Sequence, residues 1–392
     1  MNARRKVAVF TGNRAEYGLQ MPILRALATD PRFEYRLLVS GAHLKEDFGR
    51  TLDEIERDGF EVHHQVRIDM PADTLEATAH AIGSGVVSLS AVLAAERPDF
   101  LVVYADRFES FAAVIAGTQM AIPTAHIEGG DYTEGGALDD SVRHAMTKLA
   151  HLHFTTNEQA SERIRRMGEE HWRVHNVGFP ALDLITAGVF APPEEVYARY
   201  HLDPKRPILI FTQHSVATEF ESAPNQVRPS LEALRHAAST WGCQVIITYP
   251  NDDAGGRRIV EELETLAAAT VPGIQVHRSL GRYFYHGVLN VAAACLGNSS
   301  SGIKETPVFH CANIDIGPRQ QGRLRADNVI STPYDRDAIV AAIDRALHDA
   351  AFRETVRTCT NPYGAGNAGK RIADVLADTS ITPRLVQKQM TY

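Results

Sequence analysis

The sequence predicts an α/β protein of two doubly wound, parallel-sheet domains of similar size facing a central cleft. Three observations predict it. Short β-branched and apolar runs alternate with amphipathic segments, the signature of repeated βαβ units. The alternation breaks once, at a proline-rich, charged stretch, and then restarts. The chain also has 392 residues, more than one hydrophobic core normally serves.

In the first half, "KVAVFT" reads as a buried strand, "GNRAEYG" as a loop and "LQMPILRALA" as a helix. "EYRLLVSG" is a second strand, and "ERPDFLVVYAD" is a proline-marked entry into another, followed by the helical "FESFAAVIAGTQM". "IPTAHIEGGD" runs from a strand into glycines. "LDDSVRHAMTKLA" is amphipathic, with Val142, Met146 and Leu149 on one face. "HLHFTT" and "WRVHNVG" close this half, which gives a first domain over 1–188 and a linker over 189–206. The rhythm resumes with "ILIFTQH", "CQVIITYPN", "GIQVHRSL", "ACLGNSSSG" and "CANIDIG", a second domain over 207–375. Residues 376–392 form a C-terminal segment.

Composition narrows the function classes. Apolar residues make up 44% and charged residues 22%, as in soluble globular proteins. A formal net charge of −8, with no Lys/Arg run, excludes a nucleic-acid partner. Nothing reaches membrane-spanning length and the N-terminus reads as a strand, so a cytoplasmic location without membrane association is expected. Cys243, Cys295, Cys311 and Cys359 lack C-x-x-C spacing and read as small hydrophobes in a reducing compartment.

In doubly wound sheets ligands sit outside the carboxyl ends of the strands, so the loops there are where chemistry is expected. In "GNSSSGIKETP", Gly297 and Asn298 permit a tight turn and Gly302 lets backbone approach a ligand. Ser299, Ser300 and Ser301 suit the start of a helix, whose unpaired N–H groups would hold a phosphate; a serine-capped surface helix is the plain alternative. Glu305, one turn on, is placed to accept hydrogen bonds from ribose hydroxyls, or is a solvated carboxylate. Arg14 in "TGNRAEYG" can pair with phosphate. That loop lacks G-x-G-x-x-G, so no dinucleotide cofactor is expected.

Asp106 and Glu128 follow strands of the first domain, and Asp139 opens the "DDSVRH" helix. Neighbouring carboxylates raise one another's pKa and make proton carriers. His214, Asn251 and Asp253 occupy strand ends of the second domain, with His214 suited to donate to a phosphate or leaving oxygen. No H-E-x-x-H, C-x-x-C or convincing histidine pair suggests a metal, and G-x-S-x-G is absent.

These motifs occur in one order: "FTGNRAEYG", "ADRFE", "AHIEGGD", "LDDSVRHAMTKLAHLHF", "YPNDDAGG", "GNSSSGIKE" and "IGPRQQGR". Over roughly residues 6 to 375 the chain resembles the hydrolysing UDP-N-acetylglucosamine 2-epimerases of sialic- and legionaminic-acid biosynthesis. The resemblance implies a glycosyltransferase-B fold with the C-terminal segment packing back on the first domain, a nucleotide-sugar substrate, no cofactor, and a homodimer or homotetramer. It implies a diphosphate site at Ser299–Ser301, a ribose contact at Glu305, and further phosphate or uridine contacts at Arg14, His214 and Arg319. It implies acid/base roles for Asp106, Glu128 and Asp139. The non-hydrolysing relatives carry an allosteric Gln-His-Arg type motif where this chain reads "SGAHLKEDFG", which favours the hydrolysing branch. Glu128 stands where many hydrolysing relatives have His, and Pro318 where an acidic residue is common.

Overall fold

A computed structural model describes residues 4–44, 52–72, 74–132, 138–251 and 255–392. The chain divides into two units, Met1–Asp183 with Tyr363–Tyr392, and Leu184–Pro362.

The first unit holds a parallel sheet of seven strands: β1 (Arg5–Thr11), β2 (Phe33–Ser40), β3 (His64–Val66), β4 (Phe100–Tyr104), β5 (Thr124–Ile127), β6 (Leu152–Thr155) and β7 (Val174–Asn176), in the order β3-β2-β1-β4-β5-β6-β7. β4 and β5 are buried along their whole length, as parallel strands covered on both faces must be. Strand order reverses between β1 and β4, so the loops after these two strands diverge and leave a crevice. On one face of the sheet the helices Leu75–Glu96 and Phe108–Gln119 pack through Leu89, Leu93, Ala112, Ala113 and Ala116. Gly85 permits their approach, since a Cβ there would lie 2.8 Å from that of Ala112. The Leu75–Glu96 helix has the length and apolarity of a membrane span, which the sequence reading overlooked because small residues dilute its apolar pattern.

The second unit repeats the plan with six parallel strands: β8 (Ile208–Thr212), β9 (Gln244–Thr248), β10 (Ile274–His277), β11 (Ala294–Gly297), β12 (Ala312–Ile316) and β13 (Val329–Thr332), ordered β10-β9-β8-β11-β12-β13. Its switch point falls between β8 and β11. Cys243, Cys295 and Cys311 are buried here as free thiols, and burial raises all three.

The boundaries differ from those expected. The stretch read as a linker contains the helix Pro193–Tyr200, and its Ala191, Val196, Tyr200 and Leu202 belong to a core cluster of the second unit. Prolines flank and start this helix instead of breaking it, because the first turn needs no proline N–H. The chain returns to the first unit at Tyr363, earlier than 376. There the helix Ala368–Asp378 lies on the helix Arg14–Thr29, where Gly369 fits because a Cβ would come 2.5 Å from the Pro22 carbonyl oxygen.

Candidate functional site

The first unit gathers its polar groups at the carboxyl ends of β1, β4 and β5. Ala105 ends β4 in a left-handed turn at φ 54°, and Glu128 ends β5 likewise at φ 66°. Such turns are sterically costly for residues with a side chain. The first is held by His126, whose Nε2 lies 2.6 Å from the Ala105 carbonyl oxygen. Burial pulls His126 down to about 4, so it is neutral and donates from Nε2.

These turns present Asp106 and Glu128 on adjoining strands, as expected. Arg143, on the helix Leu138–Leu149, binds the Asp106 carboxylate and donates to Asp140 Oδ1 at 3.0 Å and to the Asp131 carbonyl at 2.8 Å. The Asp106 and Arg143 side chains are only 14% and 5% exposed, so each depends on the other for compensation of its charge. The Tyr104 phenol is buried beside Glu128; burial and then the Glu128 charge hold it protonated. Asp139 lies on the first turn of the Leu138–Leu149 helix; its side chain is outside the described residues, as is that of Arg14, which opens the Arg14–Thr29 helix.

A second carboxyl pair adjoins this group. Glu16 accepts from the Gly12 N–H at 2.8 Å and from the Ser110 hydroxyl at 3.3 Å. Burial, reinforced by the neighbouring Glu109 charge, raises Glu16 to about 8. This carboxyl, outside the expected trio, carries a proton at neutral pH. Glu109 wedges against Gly12 and Gly41, where Cβ atoms would lie 3.0 Å from its Cβ and 2.9 Å from its Oε1.

The second unit builds its group at the carboxyl ends of β8, β11 and β12. Gly297 is a tight turn in the strict sense: φ is 122° and a Cβ would lie 1.9 Å from the Thr212 carbonyl oxygen. Asn298 then brackets His214, accepting from its N–H at 2.6 Å and donating to its carbonyl at 2.9 Å. His214 Nδ1 lies 3.0 Å from the Asn251 N–H and 3.1 Å from Asn251 Oδ1, so Asn251 fixes the ring from one side. Burial, then the charge of Arg319, lowers His214 to about 4. It is therefore a neutral imidazole, not a cation. Arg319 and Gln320 both donate to the Asn298 carbonyl, at 3.2 and 2.8 Å. His214, Asn251, Arg319 and the serine segment thus converge; Asp253 lies outside the described residues.

The helix at the serines spans only Ser300–Lys304, with Ser299 as its N-cap accepting from the Ser301 N–H. A helix this short has little macrodipole, so local N–H groups and nearby cations must supply most of any attraction for an anion. Two details differ from the sequence reading. The absent side chain of Gly302 faces inward, since a Cβ would lie 2.4 Å from Asn313 Oδ1; glycine here seats the helix on β12 and does not clear space for a ligand. The Ser301 hydroxyl donates to Glu305 Oε2 at 2.6 Å, 3.2 Å from His286 Nε2. Burial opposes the Glu305 charge, but His286, Ser301 and Lys304 outweigh it and hold the carboxyl below its ordinary range.

Arg143, Tyr104 and the Glu16–Glu109 pair escaped the sequence reading. Each left a signal. Asp140 and Arg143 stand at i, i+3 spacing on one helix. Tyr104 precedes the turn that carries Asp106. Glu16 follows Asn13 by three, the spacing of a helix-capping pair, and its N–H indeed donates to Asn13 Oδ1 at 3.0 Å.

Residues 25–377 match the model of the UDP-N-acetylglucosamine 2-epimerase family. A UDP-N,N'-diacetylbacillosamine 2-epimerase (hydrolyzing) of Legionella pneumophila is 31% identical over 99% of this chain and 100% of its own length. A UDP-N-acetylglucosamine 2-epimerase of Neisseria meningitidis is 30% identical over 89% of both chains. A crystal structure of the UDP-GlcNAc 2-epimerase from Neisseria meningitidis bound to UDP-GlcNAc superposes with a TM-score of 0.81 at 18% identity, covering 95% of this chain and all of that one. Sucrose-phosphate synthase of Thermosynechococcus elongatus shares the architecture with a TM-score of 0.58 at 14% identity, over 95% and 96% of the two chains. The two parallel-sheet α/β units are thus of the glycosyltransferase-B type, and the chain belongs to the UDP-N-acetylglucosamine 2-epimerase family.

Proposed function

We propose that this enzyme is a hydrolysing 2-epimerase, which converts a UDP-linked 2-acetamido sugar and water to the free 2-epimer and UDP. The observation that carries the reading is the gathering of Asp106 and Glu128 on adjoining strand ends, with Arg143 clamping the first. The second unit separately brings together the Ser299–Ser301 segment, neutral His214 and the Arg319 guanidinium, groups suited to a phosphate.

The chemistry follows from the charges. C1–O cleavage runs ahead and the electron pair leaves with the diphosphate, where oriented N–H donors and a guanidinium stabilise it most. The C2 proton passes to Asp106 or Glu128, giving a 2-acetamidoglycal. Water then adds at C1, and a proton from the other face of the ring returns to C2. Two acid/base groups are therefore required, and Asp139, on the first turn of the Leu138–Leu149 helix, is the third candidate. Arg143 fixes the Asp106 carboxylate so that its proton-accepting oxygen needs no reorganisation. No redox step occurs, in keeping with the missing dinucleotide fingerprint.

UDP-N-acetylglucosamine is the first substrate proposed. A UDP-2,4-diacetamido-2,4,6-trideoxyhexose is the second, favoured by the Legionella relative that matches along its whole length. Incubation of each in D₂O, followed by NMR, tests both readings. Free 2-epimer deuterated at C2, with UDP, is expected from one of them. Product without deuterium rejects elimination, and a sugar still linked to UDP after epimerisation rejects the hydrolysing assignment.

A further inference from the structure

We propose that Lys388, near the end of the chain, is a positioning residue that sets the helix bearing the Arg143 clamp, and through it the acid/base carboxylates. This rests on the acid/base role proposed above for Asp106 and Glu128.

The tail is tied down inside the first unit. Arg173, fully buried, donates to the Leu385 and Arg384 carbonyls at 2.7 Å each and to His151 O at 3.1 Å. Three residues beyond Leu385, the Lys388 ammonium donates to the carbonyls of Thr147, Lys148 and Ala150 at 3.2, 2.9 and 2.6 Å. Thr147 and Lys148 are among the residues whose carbonyls a helix ending at Leu149 leaves without intrahelical partners, Ala150 is the first residue beyond it, and a cation there also complements the helix dipole. Glu169 completes the seat: its Oε2 lies 2.7 Å from Lys388 Nζ and 3.1 Å from His153 Nε2, and its Oε1 accepts from Lys148 at 2.6 Å.

The same helix reaches the proposed chemistry from both of its ends. Its first turns carry Asp140 and Arg143, which clamps Asp106. Near its last turn the Thr147 hydroxyl packs under Gly129, where a Cβ would lie 3.0 Å from it, so Thr147 supports the residue after Glu128. A helix is stiff over this length, so loss of its C-terminal anchor shifts Arg143 and Thr147 together. A displacement near 1 Å costs roughly 10²-fold in rate when reacting groups are involved.

Burial lowers Lys388 to about 8 although Glu169 opposes the shift. The other charged or titratable groups that face it are Lys148, Arg173, His151, His153 and His126. A base whose folded pKa lies below its unfolded value adds stability as pH rises through that window. Losing this proton therefore does not unfold the protein, but it removes one donor from a seat of four acceptors.

The test compares wild type, Lys388→Gln and Lys388→Arg in UDP release from UDP-N-acetylglucosamine or its 4-acetamido-6-deoxy analogue, in UDP affinity by calorimetry, and in melting temperature. For Lys388→Gln, kcat should fall tenfold to a hundredfold with KM and UDP affinity within about twofold. Lys388→Arg should recover kcat to within about threefold and carry the alkaline limb of the kcat profile to higher pH, since guanidinium keeps its charge. Wild-type kcat per folded enzyme in Lys388→Gln, whatever its melting temperature, overturns the role. Should that variant fail to fold, an alkaline limb in Lys388→Arg identical to wild type overturns it instead. Wild-type turnover is the control: release of UDP by wild type with no loss in Lys388→Gln rejects the positioning role alone, whereas no release by wild type rejects the functional reading and this role with it.

Discussion

Gly302→Ala tests whether the serine segment holds the diphosphate. The new Cβ would lie 2.4 Å from Asn313 Oδ1, 3.0 Å from Cγ and 3.1 Å from Nδ2. Ordinary non-bonded contact needs about 3.5 Å, so the deficit is about 1 Å. Asn313 is 3% exposed and sits on β12, which is paired on both sides, so it has little freedom to yield. The movable partner is the short Ser300–Lys304 helix. Overpacking of this kind costs about 1–3 kcal/mol of stability. A shift of about 1 Å also takes two N–H···O contacts out of hydrogen-bond range, and charge-assisted contacts contribute about 1.5–3 kcal/mol each. Even one such loss weakens UDP about tenfold, and two about a hundredfold. Titration calorimetry with UDP and urea unfolding read the two effects separately. Gly302→Ala/Asn313→Ala, which removes the obstructing side chain, should recover at least tenfold in UDP affinity. A folded Gly302→Ala enzyme with wild-type UDP affinity would refute the reasoning, because the helix start could then move without the nucleotide noticing.

Two further outcomes follow from the first unit. Asp106→Asn should lower kcat by about 10² to 10⁴ while UDP affinity, proposed to come from the second unit, stays within about twofold; the buried Arg143 retains Asp140 and the Asp131 carbonyl as partners, and steady-state kinetics with near-wild-type kcat would reject the assignment. Glu16, raised to about 8, is protonated in the folded protein where the unfolded chain has ionised, so it costs stability progressively as pH rises from about 4.5 to 8. Glu16→Gln should remove that cost, on the order of 4 kcal/mol near pH 8 from the full shift. Unfolding midpoints of the variant and wild type should therefore converge toward pH 5, and a constant difference across the range would contradict the proton on Glu16.

The fold was legible because its cause is local. Parallel strands covered on both faces must be continuously apolar, and "FLVVY" and "ILIFT" announce themselves as such; helices between them show their period in the chain. The strand-end rule then selected Asp106, Glu128, His214 and the serines without any coordinates. The unit boundaries were less legible, because a proline that starts a helix and one that breaks a linker look alike until packing shows which apolar residues lie buried.

What the sequence by itself determined is the alternation of elements, the two sheets, and the loops that follow the strand ends. What only the tertiary structure decided is the partnership of those side chains. Asp106 and Arg143 are 37 residues apart, and Lys388 caps a helix 238 to 241 residues earlier in the chain. Likewise, Gly302 is required by a side chain on the next strand, and the raised carboxyl is Glu16 because Glu109 and burial meet there. Periodicity is a property of neighbours along the chain, whereas charge compensation, desolvation and steric fit depend on distances in space that only the folded arrangement defines.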